Sequence, residues 1–520
     1  MQPVRQAVLL SWSVPPAASL ALALTTLVYL RGWILLRRAG VPFVPPWRAA
    51  SFLLGTLSLW IALASPFDTF SGFVLTAHML QHMMLMMVAP PLLLLGAPLI
   101  PLVRGLPIFA AREFAGPFLN WRPAIRAGHA LTRPVPALLL MAIVMYAWHT
   151  PRLYELALAS GGWHEVEHAF FLVAALIFWW PVVQPWPSRA QWPRWAVVPY
   201  LMIGDLQNTI LSAILVFSDR VIYPSYASAP RLFGFSALHD QAATGAIMWV
   251  IGSLAFVVPA VVIALQCLSS RRFQMPVAAV DARETALLKK LVTASRRLAF
   301  AGGFVSQRWS SRSIEVVTFL VVFTLAGLGL AALASNSSSD DDDQVQLVSQ
   351  KSGPFAVTVF GPKGEVESGA AEFSILVQNP ETQQVLRDAI VDLRAEQQGQ
   401  ASEKIAVRAT TEDSENKLLQ SGSVNLPVEG DWTLHAAVRR GEDRANLTLP
   451  LHVIKPDTSI SPPWPYLVLL AFSGVLFLAY WRRHWTRRPQ SALREQVSIA
   501  TSQDRTPSRA NAEQAPSSLP

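Results

Sequence analysis

Two pairs of histidines stand four residues apart: His78 and His82 in HMLQHMMLMM, and His164 and His168 in WHEVEH. On a helix this spacing puts both imidazoles of a pair on one face, about 6 Å apart. Two such rings chelate a metal ion easily, and imidazole suits zinc, copper, iron and nickel. Met79, Met83 and Met86 follow the first pair at helical spacing, with Met84 and Met87 completing the run. Thioethers are soft donors that favour Cu(I). Met79 and Met83 are therefore possible soft ligands, although methionine is also ordinary gap-filling material in packed helices. HEVEH also fits the H-E-x-x-H zinc-protease pattern, with Glu165 as general base. A protease needs a third ligand and an open coordination position, and acids such as Glu165 and Glu167 are favoured at a helix N-terminus in any case.

The segments that carry these residues are apolar. The chain has 520 residues, 52% of them hydrophobic and only 15% charged, against about a quarter charged in soluble domains. Runs near the roughly 20 residues that span a bilayer occur at 12–31, 49–66, 73–96, 134–149, 164–183, 196–217, 240–265, 315–334 and 463–481. The composition and these runs describe a polytopic membrane protein. The run at 12–31 lacks a basic start and an A-x-A cleavage site, so it is expected to be a retained helix.

Arginine and lysine orient the spans. Arg31, Arg37, Arg38 and Arg48 separate helices 1 and 2; Arg104, Arg112, Arg122, Arg126 and Arg133 separate 3 and 4; Arg189 and Arg194 separate 5 and 6. More basic residues lie between Arg271 and Arg312, and RRHWTRR follows the last run. The alternate short loops hold only Arg152, Arg220 and Arg231. The positive-inside rule makes the basic loops cytoplasmic and puts the N-terminus outside. The net charge of +8 is thus a record of topology and not a nucleic-acid footprint. The single cysteine, Cys267, falls at the cytoplasmic end of helix 7, so no disulfide forms within the chain and no outer thiolate is available.

On this topology six histidines share the outer leaflet. His78 lies about 8 Å and His82 about 14 Å below the outer edge of helix 3, at 1.5 Å per residue. His149 in YAWHTP closes helix 4 at that level, His164 and His168 open helix 5, and His239 in LHDQAATG opens helix 7. A polar side chain in hydrocarbon costs a few kcal/mol and is usually functional or paired. The six histidines are the expected metal ligands. Asp68 and Asp240 lie near their level and could orient a ring. Asp205 in GDLQN, near the middle of helix 6, could bind a proton or cation or tie helices together.

HMLQHMMLMMVAPPLLLLGAPL, YAWHTP, WHEVEHAFFLVAALIFWWPV, GDLQNTILSAIL and LHDQAATGAIMW together resemble the CtaG-type cytochrome c oxidase assembly factors of bacteria, the Bacillus-like seven-helix family. The resemblance covers about residues 15–265. It implies a part in maturing an aa-type haem–copper oxidase, with oxidase subunits or other copper chaperones as partners. The family's histidine positions map onto the same six residues.

The expected organisation is a seven-helix membrane domain (1–268), a basic cytoplasmic loop (269–313), helix 8 (314–334), a Ser/Asp-rich linker (335–352), an extracytoplasmic Ig-like β-sandwich (353–456), helix 9 (462–481) and a basic disordered cytoplasmic tail (482–520). Seven stretches from FAVTVFG to NLTLPLHV alternate apolar and polar residues between turn signals, which suggests the sandwich. The DWTLHAAV stretch is similar to YtkA/FixH-like domains. DWTLHAAV and NLTLPLHV should pair as a hairpin through RRGEDR, with Trp432, Leu434, Leu447, Leu449 and Leu451 inward and His435 and His452 outward but offset. No P-loop, dinucleotide fingerprint or Ser-His-Asp order is present, so the chain is expected not to be an enzyme. The leading expectation is an assembly factor of the bacterial cell membrane that handles copper. The residues leave open zinc or haem as the bound species, and a copper transporter or haem-carrying redox protein as the function.

Overall fold

The computed structural model describes residues 2–107, 122–188, 192–269, 344–362, 366–397 and 404–455. The expected helices 8 and 9, the tail, and the basic loop beyond Ser269 lie outside the described residues.

Among the described residues, six helices are long and apolar enough to cross a membrane, and a bent pair makes a seventh span if counted as one. They are α1 (Pro16–Arg38), α2 (Pro46–Ala64), α3 (Leu75–Leu95), α4 (Pro134–Trp148), α5 (Gly161–Val183), α6 (Val197–Phe217) and α7 (Ala237–Ser269). Proline opens α1, α2 and α4, where its missing N–H is no loss. At Pro151 the chain turns by 70° into the short helix Pro151–Leu158, because a residue before proline disfavours helical backbone. The expected fourth helix is therefore a bent pair, with His149 capping its first half.

The helices are sorted by face. Along α7, Val250, Leu254, Val258, Val261 and Leu265 are exposed, while Gly245, Met248, Gly252, Phe256, Ala260 and Ile263 are buried. An exposed apolar stripe suits a helix solvated by lipid, and small residues on the other face let backbones approach. A Cβ on Gly252 would lie 2.3 Å from Asn208 Nδ2 of α6, and one on Gly245 would lie 2.8 Å from the Ser212 carbonyl oxygen. Contact is closer still where α1 crosses the helix Leu99–Gly105. A Cβ on Gly32 would come within 1.7 Å of the Pro101 carbonyl oxygen, and one on Gly105 within 1.8 Å of that of Val28.

Below His82, α3 loosens into a π-turn at Met84–Val88. The sequence supplies the reason. An α-helix would ask Pro90 to donate to the Met86 carbonyl, and proline has no N–H. Instead the Trp179 indole of α5 donates to the Met86 oxygen at 2.9 Å. The irregular turn is thus pinned to the helix that carries the second histidine pair.

Residues 344–455 form two sheets, β1-β2-β4-β7 and β3-β9-β8-β5-β6. They are β1 (Gln344–Ser352), β2 (Phe355–Pro362), β3 (Val366–Glu367), β4 (Gly369–Gln378), β5 (Ile390–Gln397), β6 (Lys404–Ala409), β7 (Gln420–Leu426), β8 (Gly430–Arg440) and β9 (Asp443–Ile454). Phe355, Phe373, Val424, Leu393, Trp432 and Leu447 from the two sheets meet in one apolar core. β1 corrects the expected linker: residues 344–352 pair with β2, with one bulge at Leu347, so the domain begins before 353. β8 and β9 form the expected hairpin. Its two-residue turn begins at Gly441 with φ +61°, a conformation glycine adopts without penalty. His435 faces Thr448 and His452 faces Asp431, so the two rings are offset.

The four-stranded sheet packs on the helical domain. Phe360, Leu376, Leu418 and Leu419 share an apolar cluster with Ala7, Phe70 and Leu232. Gln378 Nε2 donates to the Arg231 carbonyl at 3.1 Å, and the Lys417 amide donates to Ser11 Oγ at 2.9 Å.

Candidate metal centre

α3 and α5 bring both histidine pairs to one point. A ring nitrogen from each of His78, His82, His164 and His168 lies within 4.8 Å of the other three. His78 and His82 are 0% and 2% exposed. The ring centroids of the two i, i+4 pairs are 4.3 Å (His78–His82) and 4.2 Å (His164–His168) apart, and His78 to His164 spans 4.9 Å. Two nitrogens bound to one tetrahedral ion at about 2.0 Å each stand roughly 3.3 Å apart. The four nitrogens thus need only a small contraction to close on an ion.

Hydrogen bonding fixes which nitrogen of His78 carries the proton. The Tyr226 hydroxyl has one proton and donates it to the Ser71 carbonyl at 2.6 Å. Its contact with His78 Nδ1 at 3.0 Å therefore has the imidazole N–H as donor. That leaves the lone pair on His78 Nε2, which accepts from His82 Nε2–H at 2.9 Å, so the unpaired buried nitrogen of this pair is His82 Nδ1. His149 is fixed in the same way: its Nδ1 donates to the Met145 carbonyl at 2.7 Å, and its buried Nε2 has no partner. The Nε2 atoms of His164 and His168 are likewise buried and unpaired. A ligating histidine characteristically donates its other N–H to an oxygen, which sets tautomer and ring orientation. Buried acceptors without donors are costly, and a metal ion would satisfy this set.

A scaffold of tyrosines holds the centre from outside. Tyr226 sits on the short helix Pro224–Ser228, whose Ser225 amide and hydroxyl both donate to Glu155. Tyr154 shares a hydrogen bond of 3.2 Å with Tyr226, and Tyr223 donates to the His149 carbonyl at 3.1 Å. Arg231 holds the end of the turn through the Tyr226 and Ala227 carbonyls.

The other expected residues take different places. His149 lies at the rim, its ring 6.5 Å from that of His82. His239 is not in the cluster: it is exposed and lines an apolar cavity of about 480 Å³ with Phe70, Phe233 and Ile247. The reason is its neighbour. Asp240 turns toward α3 and accepts the Leu75 amide at 2.7 Å, the Thr76 amide at 3.3 Å and the Thr76 hydroxyl at 2.6 Å. It caps the first turn of α3, which has no side-chain cap of its own, and so orients a helix rather than a ring. One residue along α7 is a rotation of about 100°, which turns His239 away.

Asp68 accepts from Gln81 Nε2 at 2.6 Å and from Ser13 Oγ at 2.9 Å, tying the end of α2 to α3. Asp205 accepts from Ser253 Oγ at 2.7 Å, a tie between α6 and α7. Met79 and Met83 are buried in the apolar core with Met86, Met141 and Met145. Glu167 is a residue that spacing analysis assigned to the helix dipole. It is fully buried, with Oε2 3.9 Å from Nε2 of both His78 and His82. The signal was available: positions 164, 167 and 168 share one helix face.

Residues 27–270 match the family model described as cytochrome c oxidase caa3 assembly factor (Caa3_CtaG), and every residue of the centre falls inside that stretch. The match supports the CtaG-type assembly factor family for the helical domain; the β domain lies beyond it. Among curated proteins, the chain is 26% identical over 272 residues to an uncharacterised protein of Mycobacterium bovis, covering 50% of this chain and 40% of the relative. An uncharacterised Mycobacterium tuberculosis protein matches with the same figures. One from Mycobacterium leprae is 28% identical over 231 residues, covering 42% of this chain and 34% of the relative. The chain thus spans well under half the length of the curated relatives it matches.

Proposed function

We propose that this protein is a membrane assembly factor for an aa-type cytochrome c oxidase, and that it holds copper for delivery at the four-histidine centre. The observation that carries the reading is the convergence of four ligand nitrogens within 4.8 Å, inside the stretch that matches the caa3 assembly-factor model. Copper is cargo here, not a resident catalyst. The imidazoles would bind it, with His149 at the rim and Met79 and Met83 as candidate softer donors. The reading is non-enzymatic, as the match to an assembly-factor model suggests. The partners are oxidase subunits or copper chaperones.

The competing readings find less support. A transporter would need a polar route inward, but Phe171, Ala175, Phe178, Trp179 and Phe256 form buried apolar packing in the bundle, and Asp205 is engaged by Ser253. A haem needs a flat slot between its axial histidines, and the i, i+4 pairs, with rings 4.3 and 4.2 Å apart, are too close to flank one.

The reading carries with it a bacterial cell membrane location, with the N-terminus and the β domain extracytoplasmic and the tail cytoplasmic, an orientation that the excess of arginine and lysine in alternate loops supports. The two sheets around one core support an Ig-like reading of the β domain, and its likeness to YtkA/FixH-like domains rests on the DWTLHAAV stretch alone. Deleting the gene should leave oxidase subunits synthesised but oxidase activity low, with partial recovery on added copper. Normal oxidase activity in the deletion strain under copper limitation would refute the assignment.

A further inference from the structure

Glu167 presents a buried carboxylate that no protein group claims. Both of its oxygens are buried without a hydrogen-bond partner. The Nε2 atoms of His78 and His82 each lie 3.9 Å from its Oε2. On α5 it stands with His164 and His168 at positions i, i+3 and i+4, beside the four-histidine cluster. An acid so placed would ordinarily be paired with Arg or Lys, because an isolated buried charge is very costly. Among the described residues its only ion-pair neighbours are the two histidines.

We propose that Glu167 is the anionic ligand of the centre and that it selects a divalent transition-metal ion, Cu(II) or Zn(II), over Cu(I). The proposal rests on the metal-centre reading above and sharpens it. Four neutral imidazoles bring no charge, so an ion held by them alone would bury its full charge in a dry site. One carboxylate at contact neutralises half the charge of a dication and all that of a monocation. Its attraction scales with the product of charges, so a dication loses twice as much as a monocation when the carboxylate is removed. Donor chemistry agrees: carboxylate oxygen with imidazole suits divalent ions, whereas thioethers suit Cu(I). Met79 and Met83 then serve as core packing.

The test is Glu167→Gln in the full-length protein, titrated with Cu(II), Zn(II) and, under reducing conditions with a competing chelator, Cu(I). Gln keeps shape and size, removes the charge and leaves one carbonyl oxygen as the sole acceptor. The expected result is a loss of at least a hundredfold in Cu(II) and Zn(II) affinity and less than tenfold in Cu(I) affinity. Glu167→Asp should retain the preference for divalent ions and guards against a folding defect in the Gln variant. Equal effects on both oxidation states, or no effect while His82→Ala abolishes binding, would overturn the role of Glu167 and leave the centre standing. Wild-type protein that takes up none of these ions would overturn the centre itself and this proposal with it.

Discussion

Tyr226 decides the tautomer of His78 with a single proton, and the centre depends on that choice. Its hydroxyl is committed to the Ser71 carbonyl, so it can only accept from His78 Nδ1. Tyr226→Phe removes that acceptor and leaves a buried N–H unpaired, which costs about 1–3 kcal/mol. Loss of such an outer hydrogen bond lowers metal affinity by about 10–100-fold, and a metal titration of the Phe variant should show it. Unchanged affinity would mean that the tautomer is set elsewhere. At this scale the sequence was legible where spacing alone decides proximity, as for His78/His82 and His164/His168. It misled at His239, because only the fold reveals that Asp240 faces α3. Glu167 was hidden by a second sufficient explanation, the helix dipole.

Elements position these residues through close backbone contacts as much as through side chains. The helix Leu99–Gly105 crosses α1 where neither Gly32 nor Gly105 has room for a Cβ. Gly105→Ala puts a methyl group 1.8 Å from the Val28 carbonyl oxygen, and backbone cannot swing aside as a side chain can. Overpacking of this kind costs about 1–3 kcal/mol, so thermal unfolding in detergent should begin several degrees lower; an unchanged midpoint would show that the two helices separate freely. The spans themselves were readable from hydropathy. The bend at Pro151 was foreshadowed by YAWHTP, but its 70° angle comes from packing. The π-turn was written in APP, since Pro90 cannot serve the Met86 carbonyl, although its partner Trp179 is 93 residues away. β1 was masked by its position after a charged, serine-rich run and by its dependence on β2.

In the molecule as a whole, the β domain rests on the segments that hold the centre. Phe360 packs edge-on to Phe73, just before α3. Gln378 holds the Arg231 carbonyl, and Arg231 in turn holds the Tyr226 carbonyl. The β domain has its own acid sensitivity. Partial burial of Asp392 would raise its carboxyl, but hydrogen bonds from Arg408 and Arg439 outweigh this and hold it below the ordinary value of 3.8. A depressed native pKa contributes stability above the unfolded value that is lost as pH falls through the native one. The β domain of Asp392→Asn should therefore lose less stability than the wild type between about pH 4 and the depressed native value. Parallel losses, followed by tryptophan fluorescence of Trp432, would show that the pair contributes nothing. Nothing in the apolar patterning of single strands told which sheet would meet the helices; that depended on Leu418 and Leu419, in the segment before β7.

The most direct measurement is the metal content of the purified full-length protein after copper loading and desalting. Wild type should retain about one copper ion per chain, as a single centre requires. His82→Ala and His168→Ala should each lose most of it, while His239→Ala and His129→Ala, the latter on the helix Arg122–Leu131 and outside the cluster, should keep it. Full occupancy in both cluster variants, or a loss confined to His239→Ala, would contradict a centre built by α3 and α5.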